Sequence, residues 1–112
     1  SPEEAGPGEI DVQQLQSYGT QVLLVDARPA GEYVREHMPG ALPLTEDEWD
    51  AQIPAVIAAW QADLPLVIYC DSRDCMASHK VAERLRTEYR LQNVTVLHGG
   101  WIAWKEAVGN GR

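Results

Sequence analysis

The stretch Leu66-Val67-Ile68-Tyr69-Cys70-Asp71-Ser72-Arg73-Asp74-Cys75-Met76-Ala77-Ser78 runs from four apolar residues, through a polar loop bracketed by two cysteines, into a helical pattern. A short apolar run bounded by turn residues reads as a strand buried on both faces. Val81, Ala82 and Leu85 recur at helical spacing and predict a helix from Met76 to about Tyr89. A strand that stops at a thiol and re-enters a helix sets the sulfur where backbone N–H groups converge, an arrangement that stabilises a thiolate.

Working outward, Val94 to Leu97 predicts the next strand, and Gly99-Gly100 opens a last short helix through Trp101 and Trp104. On the other side, Asp11 is a plausible N-cap for a short helix carrying Val12, Leu15 and Tyr18 and ended by Gly19. Val22 to Val25 then reads as a buried strand stopping at Asp26, and Pro29 to Arg35 as one or two helical turns. Met38-Pro39-Gly40-Ala41 is a turn. Thr45 with Glu48 reads as a capping box, with Pro54 interrupting the helix before Ala55 to Trp60 continues it. Short apolar strands alternating with helices predict an α/β fold: an open, mainly parallel sheet flanked by helices on both faces, whose ligands sit beyond the strand C-termini. Asp26, Cys70 and the Gly99 turn all fall on that edge. Residues 1–9, rich in Pro, Gly and Glu, read as a flexible leader, 10–108 as a single domain, and 109–112 as a flexible tail.

A length of 112 residues with 45% hydrophobic content fits one domain with one core. The formal net charge of −8, with nine scattered Lys and Arg, speaks against a nucleic-acid partner, because phosphate backbones are bound by basic surface. No apolar run approaches the roughly 20 residues that span a bilayer, so no membrane contact is expected from this chain itself. The expectation is a soluble domain, cytoplasmic or periplasmic, since two cysteines fit either compartment. The first residue is Ser1, which suggests an excised domain or a processed chain belonging to a larger protein, with any tether in segments outside it.

Leu24-Val25-Asp26-Ala27-Arg28, then Glu32-Tyr33, then His37-Met38-Pro39-Gly40-Ala41, resembles the first signature of the rhodanese domain. Val67-Ile68-Tyr69-Cys70, the helix start at Ser78 with Val81-Ala82 and Leu85, and the ending Val94 to Leu97, Gly99-Gly100-Trp101 and Trp104 resemble the second. Together they cover roughly residues 10 to 107 in order. The resemblance implies a sulfurtransferase in which Cys70 takes a sulfane sulfur from a donor, carries it as a persulfide and hands it to a thiol or another nucleophile, with no cofactor.

The loop departs from the family pattern, which places an Arg five residues after the cysteine and a Ser or Thr at the sixth. Here the fifth position is Cys75. With Ser78 as the helix-start serine, the loop is two residues longer and Ala77 stands in the arginine's place. Asp71 and Asp74 flank Arg73, so the loop disfavours thiosulfate and favours polysulfide or persulfide as donor. Asp71, Ser72, Arg73, Asp74, Met76, Ala77 and Ser78 form the expected substrate-binding loop, with Asp26 and Arg28 supporting it.

Five positions across a turn is a separation compatible with the roughly 4.4–6.8 Å Cα window of a disulfide. Cys75 is therefore either a resolving thiol that attacks a Cys70 persulfide, one half of a redox toggle, or a small residue packed at a helix start. A metal site is disfavoured, because the two cysteines have only His79 nearby. His37 and His98 read as turn residues, and the tryptophans as packing. Two other classes stay open: a catalytically silent or redox-sensing module, and a phosphatase or arsenate reductase on the same fold.

Overall fold

The structure is a computed structural model that describes residues 4–110. In chain order the elements are β1 (Glu9–Ile10), α1 (Val12–Ser17), β2 (Leu23–Asp26), α2 (Ala30–Arg35), β3 (Leu42–Pro43), α3 (Trp49–Ala59, preceded by a 3-10 turn at Glu46–Glu48), β4 (Leu66–Tyr69), α4 (Ala77–Thr87), β5 (Val94–Leu97) and α5 (Gly100–Asn110). The strands form one parallel sheet in the order β1-β5-β4-β2-β3. In the centre, Leu23 pairs with Leu66 and Leu66 with Val94, so the C-terminal ends of β2, β4 and β5 share one edge.

Side-chain alternation along the strands divides the core between two faces. Leu66 and Ile68 of β4 join Leu23, Val25, Val94 and Val96 under α3 and α4, which contribute Ile53, Val56, Val81 and Leu85. Val67 and Tyr69 point the other way, with Leu97, Ile10 and Met38, against Leu15 of α1, Tyr33 of α2 and Trp101 and Trp104 of α5. Every residue of β4 is buried, which is why the central strand reads as a continuous apolar run.

Four local expectations differ from the structure. The capping box at Thr45 does not form: its side chain makes no cap bond, and its N–H donates to Gln52 Oε1 at 2.8 Å. Pro54 leaves α3 unbroken from Trp49 to Ala59, because Ile53 and Val56, buried on either side of it, hold both halves against the sheet. The last helix runs past Trp104 to Asn110 and packs on α1, so Gly109 and Asn110 are helical rather than tail; 111–112 lie outside the described residues. At the other end, Glu9 belongs to β1 rather than to the leader, of which 1–3 lie outside the described residues.

β1 is two residues long, too short to show a periodicity, and it is held by parallel pairing to the β5 edge. Val96 N–H donates to the Gly8 carbonyl at 3.0 Å and His98 N–H to the Ile10 carbonyl at 2.8 Å. The Glu9 carboxylate completes the join. Its Oε1 accepts from Gly6 N–H at 2.7 Å and meets His98 Nδ1 at 3.1 Å, and its Oε2 meets His79 Nε2 at 3.1 Å. Burial pushes this carboxyl up, but the Gly6 amide and the two imidazoles outweigh it and hold the group below the usual glutamate range. A depressed native pKa stabilises the fold above the unfolded value, and this contribution is lost as pH falls through the native one. We expect denaturant midpoints measured from pH 7 down to pH 3 to drop less steeply in Glu9→Gln than in the wild type. An identical slope in the two proteins would remove Glu9 from the acid response.

Candidate active site

Cys70 follows β4 directly and is 3% exposed. Its position is set from the far side by α5. Trp101 N–H donates to the Cys70 carbonyl at 2.7 Å, and Ile102 N–H donates to the Asp71 carbonyl at 3.0 Å. Two carbonyls of the loop thus satisfy amides at the start of α5 that have no partner within the helix. The approach needs a bare backbone. Gly100 has φ of +57°, and a Cβ on it would run into the Cys70 carbonyl; Gly99, at φ +80°, would bring a Cβ to 2.7 Å from that of Ala103. The Gly-Gly pair was readable as a turn, but its role as the seat of the cysteine backbone depends on a contact with a segment thirty residues away.

From this anchor the loop leaves the sheet edge. Ser72 is half-buried, and its carbonyl accepts from Cys75 N–H at 3.2 Å, which turns the chain. Arg73 and Asp74 lie exposed at the tip, Cys75 is half-buried, and Met76 is 58% exposed. Ala77 opens α4 and packs against the α3/α4 side of the core, and Ser78 is buried within the first turn. No side chain caps that helix. Cys70 and Cys75 are joined in a disulfide, with their Cα atoms 6.1 Å apart.

Asp26 and Arg28 lie below the loop, both essentially inaccessible to solvent. Arg28 Nη2 donates to Asp26 Oδ2 at 2.9 Å and to the Glu36 carbonyl at 2.6 Å, and the guanidinium carbon lies 4.2 Å from the Trp101 ring centre and 5.5 Å from that of Tyr69. Burial opposes the guanidinium charge, but Asp26 outweighs it and pushes the Arg28 pKa up. Burial, reinforced by the Asp26 carboxylate, also drives the Tyr69 phenol far above its ordinary value. Tyr69 therefore stays neutral, and its oxygen accepts from Met38 N–H at 3.1 Å. Arg28 is held in this knot by Asp26 and the Glu36 carbonyl.

His37 sits away from the cysteines, stacked on Tyr33 with ring centres 3.8 Å apart and its Nδ1 2.7 Å from the Tyr33 carbonyl. His98 and His79 share Glu9, as described above. A groove of about 500 Å³ runs between the loop tip and α5, lined by Ser72, Arg73, Asp74, His98, Ile102 and Glu106. Among the described residues no cluster of three or more His, Cys, Asp or Glu is arranged to hold a metal ion, and no helix is long and apolar enough to cross a membrane.

Residues 11–107 match the Rhodanese-like domain family. Among solved structures, a Bacillus halodurans protein superposes with a TM-score of 0.72 at 21% identity, covering 89% of this chain and 72% of that one. The 3-mercaptopyruvate sulfotransferase SseA of Escherichia coli gives 0.69 at 17% identity, covering 92% of this chain and 50% of its own. The human single-domain sulfurtransferase gives 0.67 at 20% identity, covering 90% of this chain and 97% of its own. At these identities the likeness is one of fold.

Two substitutions test the framework. Gly100→Ala combines a positive φ with the clash at Cys70, so we expect a loss of about 2 kcal/mol or more in urea unfolding, given that backbone strain of this kind costs about 1–3 kcal/mol before any clash. Asp26→Asn leaves Arg28 buried without its counter-charge, and we expect a loss of about 3–5 kcal/mol. A change within about 0.5 kcal/mol for either, the ordinary range of an innocuous surface substitution, would show that the contact it removes does not hold the site.

Proposed function

The chain belongs to the rhodanese-like domain family, and on that premise we propose that it is a sulfurtransferase that carries a persulfide on Cys70 and resolves it with Cys75. The observation that carries this reading is the disulfide itself: a second thiol within bonding reach of the cysteine at the C-terminal edge of the sheet. The bridge to Cys75, two residues before α4 begins, holds Cys70 near an uncapped helix start whose partial positive charge favours a thiolate.

The cycle follows from the two sulfurs. In the reduced protein the Cys70 thiolate attacks the sulfane sulfur of a persulfide or polysulfide, the donor's S–S bond breaks, and the donor leaves as a thiolate. The Cys75 thiolate then attacks the Cys70 sulfur. The outer sulfur departs with the bonding pair as hydrosulfide, and the bridge seen in the structure forms. Two cysteine thiols are oxidised and one sulfane sulfur is reduced to sulfide; an external thiol can also take the outer sulfur from Cys70 before Cys75 closes.

Charge selects the donor. Asp71 and Asp74 outnumber Arg73 in the loop, Arg28 is committed to Asp26, and the whole chain carries −8. Thiosulfate, a dianion whose leaving sulfite needs cationic stabilisation, meets the wrong field. The same deficit argues against transfer of a phosphoryl group, which depends on cationic and amide stabilisation.

Intact-mass measurement of the reduced protein after exposure to polysulfide tests the reading. We expect Cys75→Ser to accumulate one added sulfur and Cys70→Ser none, while the wild type releases about one sulfide per chain and ends as the disulfide. Thiosulfate should load Cys75→Ser at least about tenfold more slowly, the ratio that about 1.4 kcal/mol of barrier produces. A Cys75→Ser protein that stays unmodified in polysulfide would overturn the sulfurtransferase assignment.

A further inference from the structure

The two sulfurs of the bridge are not equivalent, and we propose that the disulfide is reopened from one side only, by an external dithiol reductant whose thiolate attacks Cys75, so that Cys75 is the site of the mixed disulfide and Cys70 is the leaving thiolate. The inference deepens the proposed function, in which each turnover that ends in the bridge needs a reductant, and it rests on that reading.

Thiolate–disulfide exchange is an in-line displacement. The attacking sulfur must approach from behind the sulfur it attacks, opposite the bond that breaks, so access and leaving-group stability determine the direction. Cys70 is closed to this approach. It is 3% exposed and continues the fully buried β4, with its carbonyl bonded to Trp101 N–H and pressed against the Gly100 backbone. Cys75 is half-buried in irregular chain, between the exposed Asp74 and the exposed Met76. Its N–H is tied by a turn bond to the Ser72 carbonyl, so this end of the bridge lies outside the sheet and the helices.

Leaving-group charge does not reverse this. The electron pair released when the bridge breaks goes to the sulfur that departs, and the bridge holds both sulfurs near the uncapped start of α4. Each cysteine has one carboxylate as chain neighbour, Asp71 after Cys70 and Asp74 before Cys75, so access decides the direction. The balance is complete: the reductant's first thiolate forms a bond to Cys75 Sγ, the Cys70–Cys75 bond breaks, and Cys70 Sγ keeps the pair. The reductant's second thiolate then attacks its own sulfur in the mixed disulfide, Cys75 leaves as a thiolate that takes a proton from solvent, and the reductant departs as its disulfide. Two electrons have passed to the protein, and Cys70 is again ready for a donor.

The consequence is a division of labour. Sulfur enters on the buried cysteine and electrons enter on the more exposed one, so a bulky protein dithiol never has to reach the sulfur-loading position. Met76 and Ile102, 58% and 54% exposed, provide apolar surface beside Cys75 and along the groove for that partner.

The test uses the oxidised wild-type chain with no sulfane sulfur present. A brief pulse of 2-mercaptoethanol is quenched in acid, free thiols are alkylated under denaturing conditions, and the adduct is located by peptide mass. Trypsin cuts after Arg73 and places the two cysteines on separate peptides. We expect the mercaptoethanol adduct on Cys75 and the alkyl group on Cys70, in excess over the reverse pattern by about tenfold or more, since access to one sulfur governs exchange. An adduct mainly on Cys70, or an equal division, overturns the inference and leaves sulfur loading of Cys75→Ser untouched. An adduct on Cys75 in a protein that fails to load sulfur upholds the direction of reduction while removing the sulfurtransferase reading.

Discussion

The hydrogen bond from the Trp101 amide to the Cys70 carbonyl, 2.7 Å long, joins the end of the central strand to the start of the last helix, and the placement of the cysteine loop depends on it. It satisfies a helix-start amide that otherwise needs a cap. It fixes the backbone of Cys70, and the neighbouring bond from the Ile102 amide to the Asp71 carbonyl extends the tie by one residue. The bond forms because Gly100 has no Cβ and holds a φ of +57°; with any other residue the strand end and the helix would be driven apart.

Beneath that contact lies a charged group whose role is mechanical. Arg28 ties Asp26 at the end of β2 to the Glu36 carbonyl beyond α2, and its guanidinium lies over Trp101. A buried ion pair is weak evidence for stability in itself, because desolvation offsets attraction, but removing one partner leaves a naked charge. The pair therefore acts as a register pin, holding the neighbouring strand end, the α2 turn and α5 together below the loop. Arg28 is thereby engaged by Asp26 and the Glu36 carbonyl, which leaves Arg73 as the cation of the loop itself.

The two cysteines divide along the same boundary. Cys70 belongs to the rigid sheet edge, and Cys75 to the turn before α4. In the proposed cycle the buried sulfur is the nucleophile and the half-buried one the resolving thiol.

Several elements were legible from residues alone for local reasons: the four-residue apolar run of β4, the Val94-Thr95-Val96-Leu97 stretch of β5, the Asp11 cap, whose Oδ1 accepts from Gln14 N–H at 2.8 Å, and the amphipathic α4. These signals depend on neighbours in sequence. Pro54 and Thr45 misled because tertiary packing overrode a local preference, in one case through Ile53 and Val56 and in the other through Gln52. β1 was invisible because two residues carry no period, and its existence depends on the free edge of β5 and on histidines seventy and eighty-nine positions away. By itself the sequence determined the parallel α/β architecture, the family and the pair of cysteines in a lengthened acidic loop, since hydrophobic period and residue type are local properties. Only the tertiary structure decided which sulfur is buried, that the pair is bridged and that Arg28 is paired with Asp26 beneath Trp101, because burial and pairing are properties of segments distant in sequence that meet only when the sheet closes.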